Sequence, residues 1–163
     1  MAQFGFMTRT PSTSKDRARS IVRVSAIYGL VVTIGFAFTP TAGLIFSGLG
    51  ALQASLGLGG ELPDADSPST MMFANLMGSV VTVWALFRIC RPSLMAGAAD
   101  TVARALFSLG MITALAAGAT PLVGAMLLLE LAWGLVQGIA VITARRARQA
   151  DEPKLVVSSH AHR

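Results

Sequence analysis

The sequence predicts an all-α protein: a bundle of four transmembrane helices with both termini in the cytoplasm and a short amphipathic interfacial helix after the first span. Three observations predict it. Of 163 residues, 53% are hydrophobic and only 13% charged, against about 25% charged in a soluble domain, and the mean hydropathy is +0.64. Four apolar runs, about 21–38, 71–89, 97–118 and 121–143, approach or exceed the length that carries a helix across a bilayer. The basic residues cluster at alternate ends of those runs, so the net charge of +5 writes membrane topology and does not mark a nucleic-acid partner. The partner implied is the lipid bilayer, and a chain this short supports one such bundle.

Residues 1–20 mix Ser, Thr and Pro11 with Arg9, Lys15, Arg17 and Arg19 and lack periodicity, which predicts a flexible basic arm. The first span, 21–38, holds one charge, Arg23, close enough to the end to snorkel toward headgroups. A basic arm before an apolar run also resembles a signal peptide. This run is long for one, however, and no clean small-x-small cleavage site follows it. Thr39-Pro40 reads as a cap followed by proline in a first helical turn. Beyond it, Leu44, Ile45, Gly48, Leu49, Leu52 and Leu56 share a stripe, with Ser47, Gln53 and Ser55 elsewhere, so 41–57 is expected to lie at the outer interface or tucked against the bundle. Inserting it as a fifth span would put Glu61, Asp64 and Asp66 inside and export Arg88, Arg91 and Arg104, against the charge rule.

The stretch GGELPDADSPST is an acidic, Pro- and Gly-bearing outer loop whose acids lack the spacing of a calcium cage. Ser69 or Thr70 is expected to cap the second span, which Arg88, Arg91 and Pro92 close on the inner side. The lone Cys90 excludes paired-thiol chemistry within one chain. In the third span Asp100 and Arg104 form an i,i+4 pair, and a tight turn near Pro121 leads to the fourth, stopped by Arg145, Arg146 and Arg148. Residues 144–163 form a basic and polar tail in which His160 and His162 lack further ligands, so no metal site is expected.

The polar residues inside the apolar runs are the candidate site. At 1.5 Å of rise per residue, Glu130 lies about 13 Å from the outer end of its span and Arg104 about 21 Å from the outer end of its own, within reach of each other. Gln137, Arg23 and Asp100 sit slightly nearer the cytoplasm. Glu130, Trp133 and Gln137 repeat at helical spacing and share one face, which must turn inward because a lipid-facing carboxylate is costly. Two roles compete for Glu130. In one it is a protonatable ligand or proton site lined by Trp133, Gln137 and Asn75; in the other it fixes helix registry through Arg104 or Asn75. Asp100, Arg104 and Arg23 are expected to be structural ion-pairing residues near the inner interface.

Small residues four apart, Ser25 and Gly29, Gly110, Ala114 and Gly118, and Gly134 and Gly138, let helices approach. The last pair could form a homodimer seam. The sequence contains no Walker loop, GxGxxG, HExxH or nucleophile elbow and no paired intramembrane His for haem. Neither catalysis nor a cofactor is therefore expected.

The succession of Thr39-Pro40, FANLMGSVVTVWALFRI, GAADTVARALF and LLLELAWGLVQG, with Gly78 and Glu130 among its loose positions, resembles the DoxX-like group of small four-helix bacterial membrane proteins over residues 21–143. That resemblance implies a bacterial cytoplasmic-membrane protein. It also implies an accessory or assembly role in a larger membrane complex with a redox link, since the group includes a small subunit associated with a quinone-reducing enzyme. It carries no catalytic residue to a numbered position. The competing expectation is a small transporter or ligand-binding bundle that uses Glu130.

Overall fold

The structure, a computed structural model, describes residues 12–151 and is all-helical. Its elements are α1 (Ser12–Thr33), a 3-10 turn (Ile34–Ala37), α2 (Thr39–Ser55), α3 (Pro68–Cys90), α4 (Leu94–Ala116) and α5 (Leu122–Asp151). Four segments are long and apolar enough to cross a membrane: Ser14–Ala37, Pro68–Cys90, Leu94–Ala116 and Leu122–Ala150. Large apolar side chains face outward, among them Val31, Val83, Leu128 and Leu135, each at least 65% exposed. The interior is built from small ones, Ala18, Val22, Ala26, Ala42, Ala85 and Ala96. Water would penalise that inversion. A bilayer favours it, because lipid rewards close backbone packing and not burial of apolar bulk.

Helix starts are specified locally. The Ser67 hydroxyl accepts from Thr70 N–H with Pro68 in the first turn, and Ser93 accepts from Ala96 N–H at 3.0 Å. The cap of α3 is thus Ser67, two residues before Ser69 and three before Thr70. Pro68 tolerates its own missing N–H there, which lets the helix begin early. Phe38 and not Thr39 precedes α2, and the Thr41 hydroxyl donates back to the carbonyls of Gly35 and Phe38, covering the break behind the 3-10 turn.

Close approaches set the register. Gly29 of α1 lies against the Arg88 guanidinium, and Phe36 and Ala37 lie against Gly78, so α1 and α3 are antiparallel. Gly134 and Gly138 of α5 meet Arg104 and Thr101, which makes α4 and α5 antiparallel too. One end of the bundle therefore collects the start of α1, the Arg91–Ser93 turn and the end of α5; we term it the basic end. The acidic end collects Glu61, Asp64 and Asp66. There Glu61 N–H donates to Gly118 O at 2.9 Å and Thr120 N–H to Glu61 O at 3.0 Å, pinning the loop to the α4–α5 turn. Gly60 permits this contact: its φ is +97°, and a Cβ would stand 2.7 Å from Thr120 Cα.

Gly78 is the eleventh residue of α3, so the chain leaves α1 level with the middle of α3. From there α2 runs along the other half. Asn75 donates to Thr39 Oγ1 at its start, and Gln53 donates to Gly60 O near its end. Phe36 and Phe46 pack at 5.7 Å across the break. The stripe expected to anchor α2 is split. Ile45 and Leu49 are half-buried, whereas Leu44, Leu52 and Leu56 point away from the protein. The helix carries no charge on any face, and so its sequence periodicity defines no single apolar side.

Two boundaries also move. Residues 12–20, expected in a flexible arm, are helical and extend α1, while α5 continues through Arg145, Arg146 and Arg148 to Asp151. The extensions are antiparallel continuations of the contact between Val22, Gly97 and Val141, with Ala18 and Ala144 buried beyond it. The remainder of the arm, and the tail with His160 and His162, lie outside the described residues.

Candidate functional site

Asp100 and Arg104, one turn apart on α4, form the hub of a charge network that touches α1, α3 and α5. Asp100 is only 4% exposed. Its Oδ1 accepts from Trp84 Nε1 at 3.0 Å, and its Oδ2 accepts from Arg104 Nε at 3.0 Å and Gln137 Nε2 at 2.9 Å. Arg88 Nη1 lies 2.7 Å from the same Oδ2. That contact is an ion pair whose angle falls outside hydrogen-bond geometry, which leaves the buried Arg88 Nε and Nη1 without a hydrogen bond.

Arg104 spreads its planar fork over three helices. Nε holds Asp100, Nη1 holds Glu130 Oε2 at 2.6 Å, and Nη2 donates to Ser25 Oγ at 3.0 Å. The guanidinium carbon lies 5.8 Å from the Tyr28 ring centroid, and Tyr28 packs on Trp133 at 5.5 Å. On the other side the Arg88 guanidinium lies 5.7 Å from the Trp84 ring. Gln137, fully buried, also donates to Gly97 O at 2.9 Å. Two arginines and two carboxylates cancel, so the cluster carries no net formal charge. Neutrality matters because an unpaired charge inside a membrane costs several kcal/mol, and pairing offsets part of that cost.

The positions expected in this site divide clearly. Glu130, Gln137, Asp100 and Arg104 come together. Trp133 lines the cluster through Tyr28 and is not a donor to Glu130. Asn75 is elsewhere: it lies on the half of α3 beside α2 and is engaged by Thr39. Arg23 is exposed and has no ion pair among the described residues, because Val22 and Ser25 take the inward face of α1 and turn it outward. Asp100 and Arg104 are buried inside the bundle, each 4% exposed, and do not snorkel at its rim. Gly134 and Gly138 face α4 of the same chain, a Cβ at each standing 3.7 Å from Arg104 Cβ and 3.3 Å from Thr101 Cγ2.

Sequence reasoning missed Arg88, Trp84, Ser25 and Tyr28. Arg88 was expected to be an interfacial stop, yet it is 1% exposed. The available signal was the i,i+4 spacing of Trp84 and Arg88, with Arg91 already supplying the interfacial charge beyond it. Among the described residues no three of His, Cys, Asp and Glu gather as metal ligands. An apolar cavity of about 300 Å³ lies away from the charges, bounded by Thr33, Phe36, Phe46, Met77, Gly78 and Phe107 at the break between α1 and α2. The charged cluster thus links α1, α3, α4 and α5. No family model, curated protein or solved structure matches the chain.

Proposed function

We propose that this chain is a small integral membrane protein without a catalytic site of its own, serving as an accessory or assembly component of a larger membrane complex. One observation carries the reading. Every charge in the membrane-embedded cluster is engaged by another charge of the same chain, with Asp100, Arg88 and Arg104 at most 5% exposed as side chains. Groups so engaged hold a shape and leave little to act on a substrate. The DoxX-like resemblance points the same way and supplies the redox link. An orientation with both termini inside is supported by the contrast between the basic end and the acidic end, and the bacterial cytoplasmic membrane by the same resemblance.

Extraction from native membranes in a mild detergent, through a tag on the full chain, tests the reading. A co-purifying membrane protein in fixed ratio is expected. Recovery of this chain alone, in any oligomeric state, would discard it.

A second reading has one observation in its favour. Glu130 keeps 16% side-chain exposure, more than its three charged neighbours, as a protonatable site in a small transporter or ligand-binding bundle requires. In proteoliposomes, Glu130→Gln would then abolish proton-coupled uptake of a cation; unchanged uptake rejects this reading.

A further inference from the structure

The basic end carries positive charge in a place that helix energetics disfavours. Lys15, Arg17 and Arg19 lie in the first turns of α1, with no acid in the first turn. A helix start bears the positive end of the backbone dipole and is stabilised by anions, not cations. Four residues on from Arg19 is Arg23, on the same face. These two, with Asp16, Ser20 and Pro92 of the α3–α4 turn, border an open cavity of about 370 Å³. Packing of Val22 on Gly97, the fourth residue of α4, fixes the cavity at the rim of the bundle. Its arginines are poorly committed. Arg19 meets Asp16 only at 3.8 Å with both side chains well exposed, a contact of little strength, and Arg23 has no ion pair among the described residues.

We infer that this cavity binds a phosphate group, with Arg19 and Arg23 as its cationic arms and the Ser20 hydroxyl as a further donor. Guanidinium forks match the paired oxygens of phosphate. Asp16 is the built-in competitor that Arg19 gives up when the anion arrives. Two sources carry this chemistry: the headgroup of an anionic phospholipid, which lies at this depth beside a basic pocket between membrane helices, and free phosphate.

The test is the thermal-unfolding midpoint of the purified full chain in a neutral detergent, titrated separately with phosphatidylglycerol, phosphatidylcholine and inorganic phosphate. Phosphatidylglycerol is expected to raise the midpoint and phosphatidylcholine to leave it unchanged. At about 1 kcal/mol per basic residue near an anionic surface, each arginine is worth about fivefold, so R19A/R23A should weaken the apparent affinity about thirtyfold. Both positions are exposed, and circular dichroism checks that the variant is folded. A matching response to inorganic phosphate, equally lost in R19A/R23A, supports the site with soluble phosphate as its source. Absence of any response overturns the inference. So does an equal loss in R145A/R146A, which removes charge from the same end without touching the cavity.

Discussion

Asp100→Asn is the perturbation that interrogates the charge network most directly. Three hydrogen-bond donors, from Trp84, Arg104 and Gln137, and the Arg88 cation converge on this carboxylate. An asparagine offers one oxygen and one NH2. With the oxygen in the Oδ2 position the NH2 opposes the Trp84 indole N–H, and in the flipped orientation it opposes the Arg104 and Gln137 donors and the Arg88 cation. Arg104 retains Glu130 and Ser25, but Arg88 loses its nearby counter-ion, and its side chain is 2% exposed. Removing one partner of a buried pair costs about 3–5 kcal/mol. Glu130→Gln should cost less, about 1–2 kcal/mol, because Arg104 keeps Asp100 and the site is partly open. Unfolding by a denaturing detergent in mixed micelles measures both. Intrinsic fluorescence suits it, since the two tryptophans of the chain, Trp84 and Trp133, both border the network. Neutralising the counter-ion as well, in R88Q/D100N, should restore at least about 1 kcal/mol relative to the sum of the single changes. A D100N variant no less stable than E130Q, or strict additivity with R88Q, refutes the assignment of Asp100 as hub.

Packing and topology give further predictions. Gly78→Ala places a methyl group on the backbone of Phe36 and Ala37, the latter at 2.5 Å, and should destabilise by about 1–3 kcal/mol in the same unfolding assay. Gly43→Ala, with nothing within 4 Å of the new carbon, should be neutral or stabilising by up to about 1 kcal/mol. Cys90, the lone and exposed cysteine at the basic end, should react with a membrane-impermeant maleimide in inside-out vesicles and not in intact cells. Labelling in intact cells would invert the proposed orientation.

The four apolar segments were legible because hydropathy is a property of composition: α3 and α4 follow their expected spans with ends shifted by up to three residues, and α5 starts within one residue of where expected but runs eight residues further, to Asp151. Burial phase was harder to read. Arg88 and Arg91 are alike in a hydropathy window, but Arg88 lies within α3 on its buried face, whereas Arg91 follows the last helical residue, Cys90, in a non-helical conformation and is exposed. Asn75 and Glu130 were aligned by depth alone, and depth does not say which helices are neighbours. Arg104 and Glu130 lie at different depths yet meet because an arginine side chain spans more than a helical turn. The helical start of α1 was hidden by its Ser, Arg and Lys content, which reads as solvated arm until the end of α5 is known to pack beside it.

The break after Ala37 divides the molecule into regions held by different forces. Toward the basic end, α1, α3, α4 and α5 are tied by ions and amides. Toward the acidic end, α2 is secured by the Phe36 and Phe46 rings, one Asn75 to Thr39 bond and the Gln53 to Gly60 bond. Backbone amides of α2 should therefore trade their hydrogens for deuterium well before those around Arg104, and this appended helix is where the protein can breathe without loosening its core.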